Sequence, residues 1–171
     1  MKPFHECMDE YRIQMKKGVI REAYRALMEY LMGLRTHFQK EFPEYTVSGN
    51  LYPGYMDMTY FSVVPDTFRR RKLKVAIVFL HETCSFEAWL AGSNKQVQAH
   101  YWMMFQESGW NRYRMPETIR GADSILEYTL AERPDFYDLI SLTAQIESGT
   151  REFIRDIEDF LECAEGHNTP R

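Results

Sequence analysis

The segment "KLKVAIVFLHETCSFEAWLAG", Lys72 to Gly92, restricts this chain more than any other. Leu73 to Leu80 is a nearly continuous apolar run, the pattern of a strand covered on both faces. "SFEAWLAG" follows after only a few turn residues, so the two stretches, about 73–82 and 85–91, have to form an antiparallel hairpin. A hairpin this apolar cannot stand alone, and the rest of the chain must supply its cover.

That cover is legible on both sides. In "VIREAYRALMEYLMGLRTHFQKEFPEY", Ile20, Ala23, Tyr24, Leu27, Leu31, Leu34 and Phe38 recur at three- and four-residue intervals, one face of a helix that ends before Pro43. A shorter helix over 4–17 precedes it, with Gly18 as the joint. "GYMDMTYFSVV" reads as a first strand over about 55–64. "SNKQVQAHYWMMFQESG" reads as a helix over 94–108, with Ser93 and Gln96 in capping-box spacing. The stretch 124–131 reads as a fourth strand in preference to a short helix, and C-terminal helices are expected over 136–164, broken near "SGT".

The expectation is an α+β fold: helices packed on an antiparallel sheet of three strands, with the fourth near 124–131. At 171 residues, 44% of them hydrophobic, the chain is long enough for one domain with a substantial core. Residues 1–165 are read as that domain, and 166–171 as a disordered tail.

Composition narrows the setting. Three widely spaced cysteines make no disulfide framework and suit a reducing compartment. The N-terminus lacks an apolar signal core, and no run approaches the roughly 18 apolar residues of a membrane span. A cytoplasmic location is therefore expected, with no membrane association. Charge is uneven: Gly121 to Gly166 holds twelve acids against three arginines, and Asp66 to Arg114 holds eight bases against four acids. Such asymmetry can orient a charged partner.

The standard nucleotide, hydrolase and zinc signatures are absent. "HETC" places His81 and Cys84 three apart at the hairpin, but no spacing brings further ligands to them, so no metal site is assigned and no cofactor is named. "RRRKLK", Arg69 to Lys74, is the densest basic run; it is short and lies at a strand connection, where such charges also protect edges, so nucleic-acid binding is not expected. Asp57 falls within the first expected strand, where Asp is depleted, and Arg35 on the preceding helix is a candidate cation for it.

The polar residues of "FEAWLAGSNKQVQAHYW" form the main candidate site. Glu87 and Trp89 share one strand face. Lys95, Gln98 and Trp102 form one stripe of the helix, and Lys95 opposes the positive end of the helix dipole. Together with free N–H groups at that helix start, Lys95 would suit a carboxylate or phosphate. The ligand-binding candidates are Arg35, Glu87, Trp89, Asn94, Lys95, Gln98 and Trp102, and the partner a small polar or anionic molecule or a protein.

The strings "YRALMEYLMGLRTHF", "GYMDMTYF", "FEAWLAGSNKQVQAHYW" and "PDFYDL...FIRDIEDFL" resemble a family of small bacterial proteins known as a domain of unknown function. The resemblance spans nearly the whole chain and implies a free-standing bacterial domain without an assigned activity. The element order also resembles restriction-endonuclease-like nucleases. That likeness implies a metal-dependent phosphodiesterase, active or decayed, with Asp57, Glu87 and Lys95 as catalytic candidates, although Trp89 stands where the pattern wants lysine. A structural or oligomeric protein with no ligand is the third reading.

Overall fold

The computed structural model describes residues 2–166. Its elements are α1 (Phe4–Lys17), α2 (Val19–Glu41), β1 (Thr46–Val47), β2 (Met58–Val64), α3 (Asp66–Arg70), β3 (Leu73–Leu80), β4 (Ser85–Gly92), α4 (Lys95–Glu107), β5 (Leu126–Ala131) and α5 (Leu139–Gly166). The chain divides into two compact units, one up to His37 and one from Phe38, so the division falls inside α2.

In the first unit, α1 runs over the expected residues and ends at Gly18, whose φ of 83° belongs to the left-handed region that glycine enters without strain. No residue of α1 is buried. In α2 the periodic positions Leu31 and Leu34 are buried, as the spacing requires.

The second unit is built on one antiparallel sheet of five strands in the order β1-β2-β3-β4-β5. The fold class is the expected one, but the sheet is larger than the three strands read from sequence. The doubtful stretch at 124–131 is β5, and the two-residue β1 pairs Thr46 with Val64. Two residues carry no periodicity, which is why β1 was invisible. The first strand starts at Met58 rather than 55, because Tyr55 to Asp57 form a turn.

Register assigns every strand residue to a face. Phe61, Ile77, Ala88 and Tyr128 form one transverse row, and Val63, Val75, Leu90 and Leu126 the next. This is the core face. The ring of Phe38 meets Phe61 edge-on at 5.9 Å, and Tyr128 stacks on Phe153 of α5 at 6.0 Å. Gly92 lies against α4 so closely that a Cβ there would sit 2.6 Å from the Gln98 backbone nitrogen. Phe105 of α4 stacks on Phe160 of α5 at 4.5 Å, which closes the helical layer.

Two helix expectations need correction. Helix α5 begins at Leu139, not 136, and continues unbroken through "SGT" to Gly166. Glycine weakens a helix interior, but Gly149 is where α5 crosses β5, and a Cβ there would lie 2.8 Å from Leu130 Cδ2. Of the tail read as disordered, Gly166 is helical and 167–171 lie outside the described residues. The cap of α4 is Asn94, not Ser93: its Oδ1 accepts from the Gln96 and Val97 N–H groups at 3.0 and 2.9 Å. Among the described residues no helix is long and apolar enough to cross a membrane.

Candidate functional site

The opposite face of the sheet has a different chemistry. Its rows read Tyr52–Tyr60–Val78–Glu87–Thr129 and Ser62–Ala76–Trp89–Glu127–Arg114, where Tyr52 and Arg114 are single bridges beyond β2 and β5. Val78 and Ala76 on this face are buried. Around them lie rings and charges: Tyr52 and Tyr60 pair at 4.9 Å, and Lys74 sits 6.0 Å over the Tyr60 ring.

Glu87 is only 6% exposed on this face. Trp89, two residues along the same strand, donates its indole N–H to Glu87 Oε2 at 2.6 Å. Arg114 reaches over β5 so that Nη2 lies 3.3 and 3.2 Å from the two Glu87 oxygens. The same nitrogen lies 2.5 Å from Glu127 Oε2. Ser124 Oγ donates to Glu127 Oε1 at 2.5 Å. Two carboxylates thus hold one guanidinium by a single nitrogen. The Arg114 side chain stays 65% exposed.

The other members of the candidate set have different duties. Gln98 is buried; its Oε1 accepts from Gly92 N–H at 2.7 Å and its Nε2 donates to Ala122 O at 3.2 Å, so it locks the loop before β5 to the end of β4. Trp102 is half-buried and donates to Pro116 O at 3.1 Å, fixing the same loop further back. Asn94 is the helix cap, and it takes up two of the N–H groups that an anion at this helix start would need. Lys95 is exposed at the first position of α4. Arg35 is half-buried on α2, in the other unit. Of the seven, the structure joins Glu87 and Trp89 directly.

The nuclease candidates are separated. Glu87 and Lys95 lie eight residues apart across the end of β4, with five strand steps, roughly 17 Å of extended chain, from Glu87 to Gly92 alone. Asp57 is exposed in a turn before β2, where its Oδ1 accepts from Tyr55 N–H at 2.8 Å. Backbone N–H groups of Tyr55 and Met58 hold its carboxyl below the usual range.

"HETC" forms the β3–β4 turn, with Cys84 exposed at φ 51°. Thr59 Oγ donates to Pro53 O at 2.9 Å, so its contact with His81 Nε2, also 2.9 Å, has the ring nitrogen as donor. Burial lowers the His81 pKa, and the Asp57 charge offsets part of that. Among the described residues no three His, Cys, Asp or Glu come close enough to hold a metal. The basic run disperses: Arg69 pairs with Asp66 at 3.0 Å, and Arg71 grips both oxygens of Glu165 at 2.8 and 2.7 Å.

Sequence reading missed two residues that matter most here. Arg114 stands in the irregular stretch "NRYRMP", which has no periodicity to mark it; in the structure Tyr113 is buried between exposed Arg112 and Arg114. Glu127 lies in β5, the strand read from sequence near 124–131. Tyr113 anchors the stretch from the other side, donating its hydroxyl to buried Asp156, which also pairs with Arg112 at 2.8 Å. Burial and the Asp156 carboxylate raise the Tyr113 pKa.

A family model described as "Domain of unknown function (DUF7000)" matches residues 4–161, and the chain belongs to that family. No curated protein and no solved structure matches the chain.

Proposed function

We propose that this member of a family without assigned function is a binding domain for a small neutral polar molecule, held on the sheet face opposite the core by Arg114, Trp89 and Thr129. The observation that carries this reading is the anchored guanidinium. Arg114 uses Nη2 for both carboxylates. Neither Nη1 nor Nε makes a hydrogen bond among the described residues, and the side chain is 65% exposed.

Two features set the chemistry of the ligand. Glu87 and Glu127 together outweigh the single arginine charge, so what Arg114 offers is directional hydrogen bonding to a carbonyl-type oxygen, not a net attraction for anions. Half-buried Trp89 and the Tyr52–Tyr60 pair supply ring surface for a flat apolar part of the same molecule. Burying an ion pair is weak evidence for stability, because well-packed apolar residues would usually serve as well, so the cluster is better accounted for by recognition. This reading replaces the anion site expected around Lys95.

The test is an NMR titration of the Trp89 indole N–H signal with benzamide and with benzoate. Benzamide should move that signal with a dissociation constant up to about 10 mM, insensitive to salt, and Arg114→Met should abolish the effect. Tighter binding of benzoate, or benzamide binding that survives in Arg114→Met, would refute the proposed role of the guanidinium.

A further inference from the structure

A second surface, at the β3–β4 turn end of the sheet, exposes apolar side chains that no fold needs there. Tyr55 is 91% exposed, Ile140 is 85% exposed and Tyr137 is fully exposed; Met56, Phe136 and Leu139 are each more than two-fifths exposed. Single apolar residues on a surface are ordinary, whereas a contiguous group marks an interaction site. The two stretches that carry them, 55–56 and 136–140, both adjoin the β3–β4 turn. The Phe136 ring is 6.4 Å from Phe79, and Phe79 meets His81 at 5.2 Å. His81 N–H donates to Asp57 O at 3.0 Å, and Asp57 in turn accepts from Tyr55 N–H.

The charge around this group is one-sided. In the segments 55–57, 81–84 and 132–140 that make up this end, Asp57, Glu82, Glu132, Asp135 and Asp138 are exposed, and Arg133 is the one Lys or Arg. That excess equals the whole net charge of −4; the remaining twenty acids and twenty bases of the chain cancel. Asp138 caps α5, accepting from Ser141 N–H at 3.0 Å, and Asp57 accepts from backbone N–H groups, so both carboxyls are held below their usual range and stay charged. The acidic bias noticed in the sequence after Gly121 is thus partly gathered around an aromatic surface.

We infer that this end of the domain docks a basic amphipathic segment of a partner protein, which buries apolar side chains on Tyr137, Ile140 and Tyr55 while its lysines or arginines face the acidic ring. A second copy of this chain is not the occupant, since face-to-face pairing would set one acidic ring against another. An anionic membrane is repelled for the same reason. The surface lies apart from Arg114 and is independent of the ligand reading above.

The test uses the full chain and three fluorescein-labelled synthetic peptides in an anisotropy titration: an amphipathic Lys/Leu/Trp peptide, the same peptide with glutamate for lysine, and the same with serine for the apolar residues. The first should bind and the other two should not, and salt should weaken the complex. Tyr137→Ser combined with Ile140→Ser should weaken it about tenfold, as should Glu82→Gln combined with Glu132→Gln. None of these four side chains is buried, so the variants keep the fold. Several results would overturn the inference: no binding of the basic amphipathic peptide, equal binding of all three, or binding that the variants leave unchanged. Self-association of the wild type that the Tyr137/Ile140 variant abolishes would overturn it as well, because the occupant would then be a second copy.

Discussion

The cluster of Glu87, Glu127 and Arg114 makes an asymmetric prediction about stability. Glu87 has one cation, Arg114, whereas Arg114 has two carboxylates. Arg114→Met therefore leaves Glu87 buried with only the Trp89 N–H for company. Removing one partner of a wholly buried pair costs about 3–5 kcal/mol. Here the guanidinium is 65% exposed and its interaction is screened by solvent, which lowers the expected cost to about 2 kcal/mol.

Glu87→Met is the milder change. It leaves Arg114 paired to Glu127 at 2.5 Å and removes the acceptor of one indole N–H, a loss of about 1 kcal/mol, partly offset by the buried methylenes of Met. The double variant no longer holds an unpaired Glu87 and should be more stable than Arg114→Met, with a coupling of at least about 1 kcal/mol. Urea unfolding of the four proteins measures this. In thermal melts each 1 kcal/mol corresponds to a shift of about 2–4 °C for a chain of this size. A double variant no more stable than Arg114→Met would refute the reasoning, because Glu87 would then not depend on that cation.

Other substitutions probe the frame around the site. Asn94→Ala should cost about 1 kcal/mol through loss of the α4 cap, while Ser93→Ala should stay within about 0.5 kcal/mol; the reverse order in urea unfolding would return the cap to Ser93. Gly92→Ala forces a methyl against the Gln98 backbone and should cost about 1–3 kcal/mol, visible as a lowered unfolding midpoint, and a neutral result would mean the strand end and α4 can separate freely. Burial lowers the His81 pKa, so the unfolded chain binds this proton more readily than the folded one. Its contribution is complete above the unfolded value of about 6.5 and is lost as pH falls through it. Stability measured from pH 7.5 down to about 5 should therefore fall less steeply in His81→Gln, and parallel curves would exclude His81 as the source.

The parts of this structure legible in the sequence are those that local pattern determines. The 73–80 run and its short turn gave β3 and β4 because a buried strand must be apolar at every position. Ile20 to Phe38 gave α2 because one face repeats. Function was harder to read, since polar residues look alike until their partners are known. Gln98 and Trp102 had the appearance of ligand groups, yet their acceptors, Ala122 and Pro116, lie 24 and 14 residues away. Arg114 had no pattern to mark it, because its role comes from one bridge to Glu127 and a reach across β5. Gly149 misled in the opposite sense: a residue that ordinarily weakens a helix is used where α5 needs close approach to β5.

The strand order has a consequence for how the protein is made. Each strand pairs with its nearest neighbours in sequence, so the sheet can assemble in the order in which the ribosome releases it. Part of the cover for its core face comes only after all five strands: Phe153, Ile157 and Leu161 lie in α5. At roughly 5–20 residues per second, the time from the end of β5 to the end of α5 is a few seconds. During that interval Ile77, Phe86, Leu90 and Leu126 belong to a finished sheet that still lacks α5. The nascent protein is most exposed to chaperones and to aggregation then, and shortening α5 from its C-terminal end should lower soluble yield more steeply than an equal loss from α1, no residue of which is buried.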